Sequence, residues 1–307
     1  MWLTLLEQIL SISYLAMTTF PDIDEQERQF LLTDQDFQRI RKLIYEHAGI
    51  NLSEAKQSLV YSRLGRRLRA LGLLRFDDYL ALLENDQGPE WEAFVNSLTT
   101  NLTAFFREQH HFPLLAEHIR QLGPRRQPIK LWCCASSTGE EAYNMAMTMV
   151  DVFGSYAPPV RILATDLDTQ VLKTAQEGIY PMERVENFPQ PILQRFFLKG
   201  AGSQVGCVQV RQELRDMISF KQLNLLDESW PIRGQFDAIF CLNVMIYFDK
   251  QTQRKLLQKF VPVMHRDALL FAGHSENFHH SADIFSARGH TVYNIADKSL
   301  HLSLPPR

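Results

Sequence analysis

Between residues 33 and 100 the apolar positions recur at three- and four-residue spacing, and no alternating run interrupts them. Thr33-Asp-Gln-Asp36 carries an N-cap signal with acid in the first turn. Phe37, Ile40, Ile44 and Tyr45 then follow as one helical face, up to Gly49, a C-cap residue. Ser53 to Leu71 predicts a second helix, with Leu59, Leu64, Leu68 and Leu71 as its buried stripe. Phe76 to Glu84 predicts a third helix and Glu90 to Thr99 a fourth, so residues 21–98 are expected to form a small all-α domain.

From Pro128 the pattern changes to apolar, β-branched runs alternating with amphipathic ones. Ile129 to Ala135, Val160 to Asp166, Met217 to Leu225, Phe236 to Cys241, Ala268 to Gly273 and Thr291 to Ile295 predict strands. Glu140 to Phe153, Thr169 to Glu177 and Lys250 to Met264 predict the helices between them. Such alternation means a mostly parallel, doubly wound sheet over residues 128–307, with its ligand site outside the carboxyl ends of the strands. Residues 179–215 are too long for an ordinary connection. They hold Pro181, Pro189, Pro191 and three glycines beside an alternating Val208-Gln-Val-Arg211, and predict a partly antiparallel β insertion. Residues 99–127 are left as a linker segment.

Composition narrows the class. The chain has 307 residues, 45% hydrophobic and 22% charged, which excludes a disordered chain, a collagen-like chain and a disulfide miniprotein. Its 32 Lys+Arg against 35 Asp+Glu give a net charge of −3, so bulk nucleic-acid binding is not expected and any electrostatic partner must be met by a local patch. Cys133, Cys134, Cys207 and Cys241 form no CxxC and read as small hydrophobes of a reducing compartment. Residues 1–20 are apolar, but no Lys or Arg precedes the run and Glu7 interrupts it, so neither a signal peptide nor a membrane span is expected. They read as a non-essential extension, with Met17 as the natural start of a cytoplasmic protein. His110–His111 and His279–His280 lack partners at ligand spacing, so no metal is expected.

The loop Ala135-Ser-Ser-Thr-Gly-Glu-Glu141 discriminates among nucleotide-type ligands. A dinucleotide site needs G-x-G-x-x-G, whereas this loop has one glycine and two carboxylates that would repel phosphate. It favours a nucleoside ligand without phosphate and with positive charge, the description of S-adenosylmethionine. Ser137 with Glu140 three residues on makes a capping box, which accounts for Glu140 and leaves Glu141 as the better ligand candidate. Asp166 ends the second strand where a carboxylate can accept both ribose hydroxyls, while Asp168 or Thr169 better fits the cap of the next helix. Asn224 and Asn243 sit at successive strand ends; each can present an amide to an adenine edge and is equally read as an ordinary strand-end polar residue.

Five motifs fall together: TTNLTAFFRE (99–108), SSTGEEAYNMAM (136–147), ATDLDTQVLKTAQEGIY (164–180), FDAIFCLNVMIYFDKQTQ (236–253) and LLFAGHSENF (269–278). Together they resemble the chemotaxis receptor methyltransferases, the CheR family, and in particular its enterobacterial form, from about Leu32 to Asp297. The resemblance implies a doubly wound methyltransferase sheet with a small β-subdomain insertion, preceded by a small all-α domain. It implies transfer of a methyl group from S-adenosylmethionine to glutamate side chains of chemoreceptors, giving glutamyl methyl esters and S-adenosylhomocysteine, in sensory adaptation. It further implies that Asn101, Thr103 and Arg107 of the linker segment close over the cofactor, and that Glu141 and Asp166 hold its amino-acid and ribose parts. Asn224-Leu225 and Leu242-Asn243 would border the adenosine, with Arg107 and Tyr247 beside the transferring methyl. Arg63, Arg66 and Arg67 share one helix face, with Arg69 adjacent, and would dock the acidic receptor bundle. A charge run of this kind is otherwise a solvated face. The β-subdomain would take a peptide from the receptor's C-terminus, and a monomer without membrane insertion is expected.

The chain departs from the family where Cys241-Leu-Asn-Val244 replaces the frequent C-R-N-V, and where His265-Arg-Asp-Ala268 replaces a glycine-containing turn. Three classes therefore compete: an active receptor methyltransferase, a paralogue that binds without turnover, and an NAD-dependent oxidoreductase, which the phosphate-hostile loop disfavours.

Overall fold

The computed structural model describes residues 29–85, 88–124 and 126–299. The expectations for residues 1–20 lie outside them. The described chain divides into two compact units. One runs to Tyr45 and resumes over Leu52–Leu98; the other takes Glu46–Asn51 and the chain from Thr99 on.

In the helical unit, α1 (Asp34–Ala48) opens on a reciprocal capping box. Thr33 Oγ1 accepts from the Asp36 N–H at 3.1 Å, and the Asp36 carboxylate accepts from the Thr33 N–H at 3.2 Å and from its hydroxyl at 2.7 Å. A 3₁₀ turn at Glu54–Lys56 precedes α2 (Gln57–Leu71), so the second helix starts later than its sequence pattern predicts. Its buried stripe is also displaced. Val60, Tyr61, Leu64 and Leu68 face inward, Leu59 is half-buried, and Leu71, in the final turn before Gly72, is exposed, as is Tyr45 on α1. With α3 (Phe76–Asn85) and α4 (Pro89–Leu98), the core gains Phe76, Tyr79, Leu80, Phe94 and Leu98. Apolar side chains of this size stabilise by about 1.5–3 kcal/mol each on full burial.

The second unit follows the alternation that the sequence predicts. After α5 (His111–Leu122) come β1 (Ile129–Cys133), α6 (Glu140–Phe153), β2 (Val160–Asp166) and α7 (Thr169–Glu177). The inserted segment holds β3 (Ile179–Pro181), α8 (Gln190–Phe196), β4 (Phe197–Lys199), β5 (Cys207–Val210) and α9 (Gln212–Arg215). The chain then makes β6 (Ile218–Gln222), β7 (Phe236–Cys241), α10 (Lys250–Phe260), β8 (Met264–Ala272), β9 (Phe285–Gly289) and β10 (Val292–Ile295).

Seven strands form one sheet in the order β6-β2-β1-β7-β8-β10-β9. The first five are parallel, and β10 runs antiparallel to both of its neighbours. The chain starts at β1, moves outward to β2 and β6, then returns to the other side of β1 with β7. The crevice between the carboxyl ends of β1 and β7 is thus the topological switch point, where open α/β sheets bind ligands. Alternate residues of β1 serve two cores. Ile129, Leu131 and Cys133 pack with α5, α6 and α7, while Trp132 packs with α10.

Four details differ from the sequence reading. Residues 99–127 contain helix α5, whose Phe112, Leu115 and Ile119 join the same core as Met145 and Met149, so this stretch is part of the sheet's packing. The helix predicted over Lys250–Met264 ends at Phe260, because Val261-Pro-Val263 turns as a 3₁₀ segment in which proline cannot extend the α-helical ladder, and Met264 already begins β8. Strand β9 had no alternation to announce it; only Phe285 of its five residues is buried. Asp237 is buried inside the apolar-looking β7, where its carboxylate accepts from the Lys130 N–H at 2.8 Å and from Arg126 at 3.1 Å.

The insertion forms a separate three-stranded antiparallel sheet, β3-β5-β4. Phe105 sits edge-on against Tyr180, Phe188 and Phe197 at centroid distances of 5.1, 5.6 and 5.5 Å, which fixes the 99–110 stretch to this subdomain.

Candidate active site

The loop after β1 is built from backbone pairing to its neighbours. The Cys134 N–H donates to Phe240 O and the Ser136 N–H to Thr165 O, both at 2.9 Å. Ser137, at φ +48°, donates its N–H to Asp166 Oδ2 at 2.8 Å and its hydroxyl to Asn101 O at 2.9 Å. Gly139, at φ +97°, caps α6; a Cβ there would stand 2.8 Å from Ala175 Cβ. Glycine is required by φ and by the approach of α7, not by a phosphate.

The expected capping box of Ser137 and Glu140 does not form, since Ser137 is taken by Asp166 and Asn101. Glu140 is instead fully buried, accepting from the Thr138 hydroxyl at 2.6 Å with Arg184 at 3.6 Å; burial raises its pKa. Glu141 turns the other way, toward the end of β1. The thiol of Cys133 donates to its Oε1 at 3.1 Å. Burial lifts its pKa to about 7, with Glu276 and Glu108 adding repulsion and Arg107 opposing it.

Asp166 accepts from the backbone of Ser137 and from the Asp168 N–H at 3.0 Å. Burial raises its pKa in spite of those bonds. A carboxylate offers about four acceptor positions, so Asp166 keeps acceptor capacity beyond its backbone bonds. Asp168 caps α7 through Gln170 N–H at 2.9 Å, and its other oxygen accepts from the Thr99 hydroxyl at 2.8 Å and the Asn101 amide at 2.7 Å. Asn101 therefore spends its side chain on anchoring the linker segment to the end of β2.

The remaining sequence-predicted residues lie in the segment before α5 or in the turns that follow β6 and β7. Thr103 accepts from Arg184 through its carbonyl at 2.8 Å. Arg107 is exposed and donates to Leu102 O at 2.9 Å, an exposed bond that a ligand carboxylate can replace. Asn224 donates its amide to His47 O at 2.7 Å and accepts from the Leu226 N–H at 3.0 Å, holding its own turn; Leu225 beside it is buried. Leu242 is buried in the α5–α6 core. Asn243 adopts φ +58° and donates its N–H to Glu276 at 3.0 Å. Tyr247 closes the 3₁₀ turn Met245–Tyr247 and is half-buried. Arg63, Arg66, Arg67 and Arg69 lie on α2 of the helical unit.

Sequence reasoning missed three contributors. Cys133 is a donor to Glu141, not only a small hydrophobe. Glu276 gathers backbone N–H groups after β7 and β8, and Glu108 pairs with His274 at 2.7 Å. All lie within or beside the five motifs, but motif membership does not tell which residue points inward.

Comparison with known proteins now bears on this geometry. The family model described as CheR methyltransferase, SAM binding domain matches residues 101–294, and the CheR methyltransferase all-alpha domain matches residues 35–99. Chemotaxis protein methyltransferase 2 of Pseudomonas aeruginosa is 51% identical over 88% of this chain and 96% of its own. The chemotaxis protein methyltransferase of Escherichia coli is 51% identical over 89% of this chain and 94% of its own. The chain belongs to the CheR methyltransferase family. Its α/β unit is an S-adenosylmethionine-dependent methyltransferase domain, and its helical unit is the CheR all-alpha domain.

The CheR site fits that cofactor by its donor set. Glu141 is a half-buried, desolvated carboxylate whose hydrogen-bond donor is a neutral thiol, and a cation placed beside it would favour its charged form. Asp166 supplies acceptors suited to a ribose diol. Among the described residues no cluster of three His, Cys, Asp or Glu is spaced to hold a metal ion. No helix among them is long and apolar enough to cross a membrane.

Proposed function

We propose that this protein methylates glutamate side chains of chemoreceptors with S-adenosylmethionine, forming glutamyl methyl esters, with Arg107 and Tyr247 beside the transferred methyl. The observation that supports this reading best is the desolvated Glu141 carboxylate, whose bonded donor is the Cys133 thiol and not a cation, in the loop-to-helix turn after β1, with Asp166 at the end of the neighbouring β2. When bound, the cofactor supplies an electrophilic methyl on a positively charged sulfur.

The residues then have limited work. A substrate glutamate, with a reference pKa of about 4.3, is already ionised at neutral pH and needs no general base. Glu141 carries the charge that draws a cationic donor in, and Asp166 orients the ribose. Arg107 leaves Leu102 O to bind the incoming carboxylate as a guanidinium clamp. Tyr247 fixes the approach line from the turn after β7. Orientation of this kind supplies up to about 7–11 kcal/mol of a barrier. Asn101, Thr103, Asn224, Leu225, Leu242 and Asn243 enclose the donor.

On the partner side, Arg66 and Arg69 are exposed on α2 and are the candidates to meet an acidic receptor bundle, with Arg63 and Arg67 behind them. The β3-β5-β4 subdomain is the candidate for a receptor C-terminal peptide. The protein acts as a cytoplasmic monomer in this reading.

Labelled S-adenosylmethionine and receptor membranes test it. Base-labile methyl incorporation is the expected result; cofactor binding without incorporation would overturn it. Arg107→Ala should depress turnover about 100-fold and S-adenosylhomocysteine affinity by clearly less, as seen by calorimetry; equal losses in both would contradict its role beside the methyl.

A further inference from the structure

The two residues assigned to methyl transfer lie on separate segments. Arg107 is in the stretch before α5, and Tyr247 is in the turn after β7. One four-residue loop after β8, Gly273-His274-Ser275-Glu276, is bonded to both.

On one side, the Glu276 carboxylate is 4% exposed and accepts from the N–H groups of Asn243 at 3.0 Å and Ile246 at 3.3 Å. It also accepts from the Gly273 N–H of its own turn at 2.6 Å. Ile246 is the neighbour of Tyr247. The approach is close enough that a Cβ on Gly273 would collide with the Asn243 side chain and stand 3.0 Å from Glu276 Oε2. On the other side, Glu108, the neighbour of Arg107, is 7% exposed. Its Oε1 accepts from the His274 backbone N–H at 3.2 Å and stands 2.7 Å from His274 Nδ1.

Three carboxylates therefore lie near these segments, Glu108 and Glu276 buried and Glu141 half-buried, and they are used differently. Glu141 has one thiol donor. Glu108 is met by two donors from His274, and Glu276 by the N–H groups of Asn243 and Ile246 from the turn after β7 together with the Gly273 N–H of its own turn. Carboxylates satisfied in that way are anchors, not cation ligands.

We propose that the 273–276 loop is a clip that sets the separation of Arg107 from Tyr247, and that Glu108, His274 and Glu276 are positioning residues for methyl transfer. This rests on Arg107 and Tyr247 as the transfer pair. A misplacement of about 1 Å at a reacting centre lowers turnover by about 100-fold without any loss of binding groups.

The test uses the full chain with Glu108→Ala and Glu108→Gln, and with Arg107→Ala and Tyr247→Phe as references. Receptor methylation gives kcat and KM, calorimetry gives S-adenosylhomocysteine affinity, and thermal denaturation gives Tm. Glu108→Ala should lower kcat about 10- to 100-fold, with S-adenosylhomocysteine affinity within about twofold of wild type. Glu108→Gln keeps an acceptor oxygen for His274 while losing the charge, and should restore most of kcat. The clip is overturned if Glu108→Ala keeps wild-type kcat, if kcat and affinity fall together, or if Glu108→Gln is as impaired as Glu108→Ala. Should the references lower kcat while Glu108→Ala does not, the clip alone fails. Should the references leave kcat intact, the transfer pair fails and the clip with it. If Glu108→Ala does not fold, His274→Ala reads the same contact from its partner and should lower kcat at least about fivefold.

Discussion

Charge is handled in opposite ways in the helical unit and at the strand ends of the α/β unit. On α2, Arg67 is held by Glu90 through a bidentate pair of 2.9 and 2.5 Å, and the same carboxylate accepts the Tyr79 hydroxyl at 2.8 Å. Arg39 on α1 bridges Asp77 at 2.6 Å and Glu84 at 3.0 Å. Arg63 donates to Ser97 O and Arg69 to Gly65 O, which leaves Arg66 and Arg69 exposed. After β1 and at the end of β2, Glu141 and Asp166 are half-buried with neutral donors only, and desolvation raises the pKa of each. Paired charges tie helices together. Desolvated carboxylates with neutral donors alone favour a positive neighbour, which is the basis of the reading proposed for Glu141 and Asp166.

The largest effect that would break this contrast is at Glu141. Truncating one partner of a buried charge pair costs about 2–5 kcal/mol, so Glu141→Ala should weaken S-adenosylmethionine binding about 30-fold or more by calorimetry. The same residue makes a pH prediction. Its folded pKa of about 7 lies above its ordinary value of 4.5. Between those values the folded state holds a proton that the unfolded state has released. Stability of the unliganded protein therefore falls as pH rises from 4.5 to 7, by on the order of 3 kcal/mol at about 1.4 kcal/mol per unit. Glu141→Gln should flatten that slope in denaturant titrations, and a wild-type protein with no slope over this range would sink the assignment. Affinity for the cationic donor should decline below pH 7 in the wild type.

A smaller effect separates structural from docking arginines. Arg67→Ala leaves Glu90 and the fully buried Tyr79 with one partner fewer. It should lower stability by about 1–2 kcal/mol, discounted because the guanidinium is partly exposed, with cofactor affinity unchanged. Arg66→Glu gives the smallest stability change, within about 0.5 kcal/mol, but should raise the KM for receptor membranes. Equal behaviour of the two variants in denaturation would erase the distinction drawn on α2.

Much of this was legible in the sequence, for reasons that differ by element. Helical spacing around Phe37, Ile40 and Ile44 and strand-length apolar runs such as Val160–Asp166 announce themselves, because burial demands a period. The stripe on α2 was misplaced because Leu59 and Leu71 are as apolar as Leu64, and only packing tells which ones face inward. Helix α5 was missed inside what looked like a linker, and β9 in a stretch to which the sequence pattern assigned no element. In the site, Glu141 was separable from Glu140 by pattern, although the reason offered for Glu140 was wrong. Its box partner Ser137 is bonded to Asp166 and Asn101.

The sequence by itself determined the order of elements, the two-part organisation, the acid-bearing loop after β1 and, through five ordered motifs, the family. These are local properties, written in periodicity and in short runs of residues. Only the tertiary structure decided which donors meet each carboxylate. Glu108, Glu141 and Glu276 are the same residue type in similar motifs, and they differ in what reaches them: His274 for the first, the Cys133 thiol for the second, and Asn243 and Ile246 with the nearby Gly273 for the third. Hydrogen-bond satisfaction depends on neighbours in space, and those neighbours exist only once the strands have found their register.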